Sequence, residues 1–466
     1  MRSLSVLTCA AVLAAASAAV AGFGGFGFDF GLFRDHQLDA NSEQLFGIER
    51  PVPASSTESV GATDANADAT SLITVAKGLR VHVLTAQPNA APNIDQMVFW
   101  PNDENPTHLI VANEEGPAQP GLQRIRLSDG LVETILSGTS SGDPVRRTAW
   151  GTILLGEENG TDGWLLEIAN PLTTTGVTFN RATGVSSDPA HVVSRPAPGR
   201  LSYEGIALYS NGVMYYADEN RPLNGTPGGA YFKFIPTALW NGQQGLANSP
   251  LTAGSVYGLR LGKRSGNTDY GQASETGLGT WIPVTTTPNV DLRAAAATLK
   301  LTGYYRPEDF EIDPAARAAG NVRFCANNTG NESQNHNWGQ TICVTDGTIA
   351  QAAVNTAVPA VQFLVLGSWD FAMMDNIAYQ PNHGNFIINE DGDSPEVGRN
   401  NDIWSCLDDG DDADDQSDGC MRVATLNDLT AESTGGIFDK TGTHYYVSIQ
   451  HNVTGHGVVL DITGWH

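Results

Sequence analysis

Acidic and amide side chains recur at the ends of short apolar segments of this chain. Six segments share one pattern: a polar entry, an apolar run, a turn with Gly, Asn or Pro, a second apolar run and a polar exit. They span residues 95–115, 147–159, 203–220, 307–328, 374–391 and 434–452. Two strands joined by a short turn form a hairpin, which brings the start of the first strand beside the end of the second. Entry and exit residues of one segment are therefore expected to be neighbours in space.

This geometry gathers oxygen-bearing side chains in five of the hairpins. The expected groups are Glu204 with Asp218-Glu219, Glu308 with Asn327-Asn328, Asp375-Asn376 with Glu390-Asp391, and the exits Asn113-Glu114-Glu115 and Glu157-Glu158-Asn159. Any one residue fits an ordinary strand-end turn. Their repetition favours metal binding, because packed carboxylates repel one another unless cations neutralise them. Oxygen ligands select hard cations, above all Ca²⁺, and Fe³⁺ is a second hard cation that accepts carboxylates.

Repeated hairpins also predict the fold class. Six units in one chain indicate an all-β protein, a six-bladed β-propeller in which each blade repeats a small antiparallel sheet. Long inter-strand insertions are expected at residues 221–300 and 391–433. Because the blades of a propeller point the same way around one axis, the polar groups would converge on one mouth of the channel. A β-sandwich is the alternative fold.

The N-terminal sequence predicts export. Arg2 precedes the apolar stretch from Val6 to Val20, and Ala19-Val20-Ala21 fits a signal-peptidase site. We expect a signal peptide over residues 1–21 and a secreted protein, which would be extracellular, or periplasmic in a bacterium; a membrane helix is the alternative. Residues 22–70 are expected to be a flexible N-terminal segment and linker, because they contain little that can be buried. The propeller domain is then residues 71–466.

Cysteine usage and net charge agree with an exported protein that binds cations. Outside the signal peptide there are four cysteines, and the simplest of three connectivities pairs Cys325 with Cys343 and Cys406 with Cys420. Zinc is the alternative, but no paired Cys or His spacing supports it. The formal net charge of -26 argues against nucleic acid and anionic membranes as partners. We expect a monomer, with glycans only if the host attaches them to its Asn-x-Ser/Thr sequons.

An ordered set of short motifs resembles the PhoX family of secreted alkaline phosphatases. The motifs are EEN at 157–159, YEG at 203–205, ADEN at 217–220, GGAYFKFIP at 228–236, RPEDFEIDP at 306–314, DNIAY at 375–379, INEDG at 388–392 and VSIQH at 447–451. Each motif alone is weakly specific, whereas the ordered set of motifs is more specific than any one of them. The resemblance extends from about residue 70 to the C-terminus, and it implies a six-bladed propeller with calcium and iron at its mouth that cleaves phosphomonoesters.

The resemblance also implies roles for particular residues. Glu204 and Glu308 would be metal ligands, and Arg306 would hold the phosphate of a small phosphorylated substrate. Further ligands implied with them are Glu157, Glu115, Asp218, Glu219, Asn376 and Glu390. Arg306 suits its role because a guanidinium offers a planar, permanently charged fork to two phosphate oxygens. A structural salt bridge to a nearby acid is the other interpretation of this arginine.

One position departs from the family pattern. Members commonly have a cysteine directly before the glutamates of the second motif as an iron ligand, and here that position is Gly156. Iron would bind through oxygen atoms alone, or calcium would replace it, or the phosphatase site has decayed. Two other functions therefore stay open: a calcium-dependent propeller hydrolase of another class, such as a lactonase, and a non-catalytic binding propeller.

Overall fold

A computed structural model describes residues 30–222, 228–262, 275–284, 288–330, 338–392, 398–410, 414 and 416–466. The predicted signal peptide and the Gly-Phe segment before residue 30 lie outside these ranges. In the part of the chain that the structure describes, no helix is long and apolar enough to cross a membrane.

The first elements lie outside the repeated hairpins. They are α1 (Phe30–Ala40), α2 (Ser42–Phe46), α3 (Ala62–Ala67), a 3₁₀ turn (Ala69–Leu72), β1 (Ile73–Val75) and β2 (Arg80–Thr85). After them, the described residues form six antiparallel units that follow one another along the chain, which we number 1 to 6.

Units 1 and 2 occupy residues 94–194. The strands of unit 1 are β3 (Ile94–Trp100), β4 (His108–Asn113), β5 (Pro120–Arg126) and β6 (Val132–Ser137). Those of unit 2 are β7 (Gly142–Arg147), β8 (Thr152–Glu157), β9 (Leu165–Ala169), β10 (Val177–Asn180), β11 (Val185–Ser186) and β12 (Val192–Ser194), with a 3₁₀ turn at Gly160–Asp162. Strand β10 leaves its own unit and pairs in parallel with β6, so β10 and β11 extend the sheet of unit 1.

Units 3 and 4 share one hydrogen-bonded sheet. Unit 3 contains β13 (Tyr203–Leu208), β14 (Met214–Asp218), β15 (Gly229–Pro236), β16 (Gly254–Leu261), β17 (Gly277–Pro283), α4 (Leu292–Leu299), β18 (Gly303–Tyr304) and 3₁₀ turns at Leu246–Asn248 and Pro250–Thr252. Unit 4 contains β19 (Pro307–Ile312), α5 (Pro314–Ala318), β20 (Asn321–Asn328), β21 (Gln340–Thr348), α6 (Ile349–Ala352) and β22 (Ala360–Leu366). The outer strands β17 and β22 pair with each other and join the two units.

Units 5 and 6 complete the chain and take up its beginning. Their strands are β23 (Met374–Gln380), β24 (Asn385–Glu390), β25 (Asp402–Cys406), β26 (Cys420–Leu426), β27 (Glu432–Phe438), β28 (His444–Gln450) and β29 (Val459–Thr463). Strand β1 pairs with β26 and β2 pairs with β29, both antiparallel. The N-terminal strands thus form the outer edges of the last two units.

The first strands of the units are arranged in a ring. Strand β3 contacts β7, and the contacts continue through β13, β19, β23 and β27 back to β3. The apolar core lies between neighbouring sheets; the cluster between units 1 and 2, for example, contains Ile110, Leu136, Ile153 and Leu166. The architecture is mostly β and propeller-like.

Both predicted disulfides are confirmed. Cys325 and Cys343 lie opposite each other on β20 and β21, and Cys406 and Cys420 on β25 and β26. The Cα–Cα separation is 4.0 Å in each bridge. Two of the sequons have buried asparagines, since Asn327 and Asn452 are 0% and 8% exposed, so neither can carry a glycan in the folded protein.

Residues 31–70 differ from the expected flexible linker. Leu38, Phe46, Ile48, Val52 and Ala65 are buried in one apolar cluster with the outer faces of units 5 and 6. Backbone hydrogen bonds attach the segment along unit 5, from Val52 N to Arg422 O and from Val60 N to Asn427 O. The few apolar residues are spaced too far apart to resemble an element, yet each fits a gap between outer strands.

Substitution of Phe46 tests whether this segment stabilises the fold. Phe46 is fully buried, so Phe46→Ala should lower the free energy of unfolding by about 3–5 kcal/mol through lost burial and an unfilled cavity. Chemical denaturation of the purified variant measures this change. Val354→Ala is the control, because the Val354 side chain is 67% exposed and its truncation should have little effect. Equal stabilities for the two variants would contradict a docked segment.

Candidate metal centre

A β-bulge occurs at the start of the first hairpin in five units. The register shifts by one residue between Ile94 and Met97, Gly142 and Val145, Tyr203 and Ile206, Pro307 and Phe310, and Met374 and Ile377. A bulge places two residues opposite one and so redirects a side chain that regular alternation would hide. Each of these strands therefore turns one extra side chain toward the axis of the ring.

The redirected residue is an acid in all five units. We call Asp95, Asp143, Glu204, Glu308 and Asp375 the inner acids. They are between 1% and 7% exposed, and all five line one cavity of about 360 Å³ at the centre of the ring. In unit 6 the register shifts later, between Thr434 and Ile437, and Glu432 at the strand start lines the same cavity.

A second layer of polar residues surrounds the opening of the cavity. These rim residues directly follow the second strand of each unit, and they are Glu114, Glu158, Glu219, Thr329, Asp391 and His451. Glu114, Glu158, Asp391 and His451 line the cavity. Thr329 donates a hydrogen bond from Oγ1 to Glu308 Oε1, and His451 Nε2 lies 3.0 Å from Glu432 Oε1.

The carboxylates of the cavity lie close enough to share cations. Three groups each have ligand oxygens within 4.8 Å of one another: Asp143 with Glu158 and Glu204, Glu204 with Glu308 and Asp375, and Asp375 with Asp391 and Glu432. Glu204 and Asp375 each belong to two groups, so the three groups form one continuous cluster. A carboxylate can serve two groups because each of its two oxygens can accept a separate ligand bond.

Burial and mutual repulsion make the ionised form of these acids costly. Burial raises the pKa of Glu204 well above its usual value, and the carboxylates of Asp143 and Glu308 raise it further. Burial also raises the pKa of Glu308 to about 7, although the adjacent Arg306 opposes the shift. Glu204 Oε2 and Asp375 Oδ1 are buried and have no hydrogen-bond partner among the described residues. A buried carboxylate oxygen without a partner is costly, and a bound cation would supply one.

A third set of buried polar residues lies at the ends of the second strands, and its acids are paired within the protein. The last residues of the second strands are Asn113, Glu157, Asp218, Asn328, Glu390 and Gln450, all buried. The three acids among them each meet an arginine: Arg181 Nε lies 3.0 Å from Glu157 Oε1, Arg293 Nε 2.7 Å from Asp218 Oδ2, and Arg399 Nη1 2.6 Å from Glu390 Oε2. These strand-end acids form structural ion pairs. In the described structure four of the five inner acids have no such partner, and the fifth, Glu308, lies 3.4 Å from Arg306 Nε.

Three of the sequence-predicted site residues lie in the cavity: Glu204, Glu308 and Arg306. Glu219 is held by Arg306 at the rim. Glu157, Asp218 and Glu390 point to their arginines, and their neighbours occupy the cavity positions, with Glu158 and Asp391 lining the cavity. Glu114 rather than Glu115 lines it, and so does Asp375 rather than Asn376. Strand alternation decides which member of each of these dipeptides faces inward.

Arg306 is held by several acids at once. Its Nε donates to Glu219 Oε1 at 2.7 Å and lies 3.4 Å from Glu308 Oε1, and its Nη2 lies 3.6 Å from Asp391 Oδ2. The backbone of Arg306 is left-handed, with φ of 50°. The salt-bridge interpretation of this arginine is therefore confirmed, and its role toward phosphate stays a prediction for a residue that lines the cavity.

Three cavity acids were missed by sequence analysis: Asp95, Asp143 and Glu432. Two of them precede the repeated segments, since the second segment begins at residue 147, after Asp143, and the sixth at residue 434, after Glu432. A usable signal exists, since an acid is the second residue of the first strand in five units.

Gly156 lies outside the cavity. A Cβ built on it would come within 2.5 Å of Tyr203 Cβ and 2.7 Å of Pro144 Cγ. A side chain at this position would therefore require Pro144 or Tyr203, the neighbours of the inner acids Asp143 and Glu204, to shift.

Comparison with known proteins agrees with this geometry. The family model of alkaline phosphatase PhoX matches residues 112–452, which include every cavity acid except Asp95. The chain belongs to the PhoX family. Among solved structures, Pseudomonas fluorescens PhoX in complex with vanadate, a transition state analogue, aligns with a TM-score of 0.63 and 16% identity over 89% of this chain and 99% of that chain.

A more distant neighbour is XC5397 of Xanthomonas campestris, a gluconolactonase. It aligns with a TM-score of 0.41 and 12% identity over 89% of this chain and 96% of that chain. No curated protein matches the sequence significantly.

Neighbouring glutamates in unit 2 should differ in their effect on stability. Glu157→Gln weakens the ion pair with Arg181 and should lower the free energy of unfolding by about 1–3 kcal/mol. Glu158→Gln removes one charge from a group of repelling carboxylates and should leave the stability of the chelator-treated protein unchanged or increase it. Thermal unfolding in chelator compares the two variants. The reverse order of stabilities would contradict the assignment of Glu158 to the cavity.

In the presence of a chelator, the free energy of unfolding should decrease as pH rises, the reverse of the trend for acids with lowered pKa values. The pKa of Glu308 is about 7 in the folded protein and about 4.3 in an unfolded chain, so the folded state binds more protons between these values. Stability should therefore fall as pH rises through this window, by about 1–3 kcal/mol, and the raised pKa of Glu204 acts in the same direction. Denaturation midpoints between about pH 5 and pH 8 measure the slope; a rise over this range would contradict an ion-free acidic cluster.

Proposed function

We propose that this protein is a secreted, metal-dependent phosphatase that hydrolyses phosphate esters at the inner acids. The observation that carries the proposal is the contrast between the two sets of buried carboxylates. The strand-end acids have arginine partners, whereas the inner acids share one cavity with Arg306 as the only arginine among its described lining residues. Membership of the PhoX family supplies the reaction class.

The donor set fits calcium. Each of the three carboxylate groups offers oxygen ligands only, and among the described residues of the cavity lining no cysteine and one histidine, His451, is present. Calcium takes six to eight oxygen ligands in flexible geometry, which suits a cluster of carboxylates that share ligands. Fe³⁺ is the second hard cation that such a set accepts. The unpartnered oxygens of Glu204 and Asp375 support bound cations independently of the family.

Bound cations would supply Lewis acidity to the phosphoryl oxygens and a nucleophile that forms near neutral pH. The residues of the chain perform the remaining tasks. Glu204 and Asp375 each belong to two of the three carboxylate groups, so they would set the distances between cations bound by these groups. Arg306 keeps Nη1 without a hydrogen-bond partner in the described structure, and this group can donate to a phosphate oxygen while Nε stays fixed by Glu219.

Several finer features belong to the same proposal. We infer six blades from the ring of first strands, with units 3 and 4 joined at their outer edges. The apolar N-terminal stretch and the two disulfides support export, because disulfides persist in oxidising compartments. The substrate is a small phosphorylated molecule and the protein acts as a monomer. A lactonase or a purely binding function is not favoured, because neither accounts for an arginine inside the acid cluster.

Cavity variants test this function. Glu204→Gln and Glu308→Gln should each lower phosphomonoesterase activity by at least about 100-fold and reduce the calcium bound per molecule, because each replaces a charged carboxylate of the cluster with a neutral amide. Arg306→Lys should raise KM and weaken inhibition by vanadate while calcium content is retained, because lysine keeps the charge and loses the planar fork. Steady-state kinetics and elemental analysis measure both quantities.

Glu311→Gln is the matched control. Glu311 lines a second cavity, toward the other end of the channel. Burial raises the pKa of Glu311 to about 8, so this acid is perturbed in the same direction as the inner acids. The control variant should retain both activity and calcium. Full activity in Glu204→Gln and Glu308→Gln would refute the proposed site.

A further inference from the structure

A layer of polar side chains lies directly beneath the inner acids. In units 1, 4 and 5 the second bulge residue is Gln96, Asp309 or Asn376, each following an inner acid in sequence. All three are buried. Gln96 and Asp309 line the second cavity on the opposite side of the ring, together with Arg146. This layer therefore separates the acidic cavity from the other end of the channel.

Gln96 connects this layer to an inner acid of the next unit. Its Nε2 donates to Asp143 Oδ1 at 3.2 Å, and its Oε1 accepts a hydrogen bond from Arg146 Nη1. Because the guanidinium can only donate, it fixes the amide oxygen on its own side and turns the amide NH₂ toward Asp143. The orientation of the amide is thus set by the protein and does not depend on a ligand.

Asn376 of unit 5 makes the same kind of contact with the inner acid of unit 1. Its Nδ2 lies 3.4 Å from Asp95 Oδ1, and its Oδ1 accepts a hydrogen bond from Gly435 N at 2.8 Å. Here a backbone N–H takes the role of the guanidinium. Two amides on different units therefore each donate to the carboxylate of another unit, and each has its oxygen occupied by a fixed donor.

Arg146 completes the layer as a fixed cation. It donates from Nε to Ile206 O at 2.8 Å and from Nη2 to Phe310 O at 3.0 Å, and its Nη2 lies 2.5 Å from Asp309 Oδ1. The ion pair with Asp309 cancels its charge, so the layer presents no net charge to the cavity above. The effect of Arg146 on the acids is exerted through Gln96.

We propose that Gln96 and Asn376 are positioning residues of the metal centre. Each amide donates to one oxygen of an inner acid and so fixes the plane of the carboxylate. Asp143 belongs to one of the three carboxylate groups and can offer its second oxygen to a cation, whereas Asp95 lines the cavity outside those groups. Partners of this kind orient metal ligands, and their loss typically weakens metal affinity by about 10- to 100-fold. The proposal rests on the calcium centre proposed above and extends it to residues that touch neither cation nor substrate.

Calcium titration of chelator-stripped protein by calorimetry tests the proposal. Gln96→Leu and Asn376→Leu should each weaken calcium binding by at least about tenfold. Gln123→Leu is the matched control: Gln123 is also a buried amide, with Nε2 donating to Asn89 O and Oε1 accepting from Ala91 N, in unit 1 but away from the cavity. It should lower the unfolding temperature and leave calcium affinity unchanged.

A double substitution separates positioning from general damage. If Gln96 acts through Asp143, then Gln96→Leu should have no further effect on calcium affinity in an Asp143→Ala background. An equal loss in both backgrounds, unchanged affinity in Gln96→Leu and Asn376→Leu, or an equal loss in Gln123→Leu would overturn the inference alone. Absence of calcium binding by the unsubstituted protein would overturn the proposed function and this inference with it.

Discussion

Electrostatic repulsion among buried carboxylates is the constraint on which the rest of this structure depends. The inner acids are almost fully buried, and Asp143, Glu204, Glu308 and Asp375 contribute oxygens to groups only 4.8 Å across. Such an arrangement costs free energy unless the acids are protonated or cations neutralise them. Where the fold needs a buried acid for its own sake, as at Glu157, it provides an arginine. Arginine partners are absent from most of the cavity, and this difference distinguishes the inner acids from the strand-end acids.

The β-bulge is the backbone device that makes the cluster possible. In a regular strand an acid beside a buried residue would face the opposite side of the sheet. One inserted residue at the same place in five units turns the acid to the axis, and in units 1, 4 and 5 the following residue is a buried polar side chain. Gln96 and Asn376 occupy that second position, so one local irregularity supplies a metal-facing acid and the amide layer beneath it.

Sequence analysis identified the repeated hairpins, the mostly-β class and both disulfides, because alternating apolar runs and local cysteine pairs are short-range signals. It also predicted that Glu204 and Glu308 lie together, since equivalent positions on different blades of a propeller meet near the axis. It selected Glu157 over Glu158 and Asn376 over Asp375, because the face of a strand-end residue depends on one residue of register. The docked segment around Phe46 was missed, since its apolar residues have no period and their partners are more than 300 residues away.

Strands β1 and β2 give the ring a specific order of assembly. Pairing of β2 with β29 joins Arg80 to Thr463, so the ring closes only when the two ends of the domain meet, and the large chain entropy lost in closing so long a loop makes this a late event. Before closure, the acids of unit 6 and unit 1 lie on strands that are not yet neighbours, and their mutual repulsion is small. Ring closure therefore brings the cavity carboxylates of units 6 and 1 together. The rate of this folding step should depend on the calcium concentration in which the chain folds.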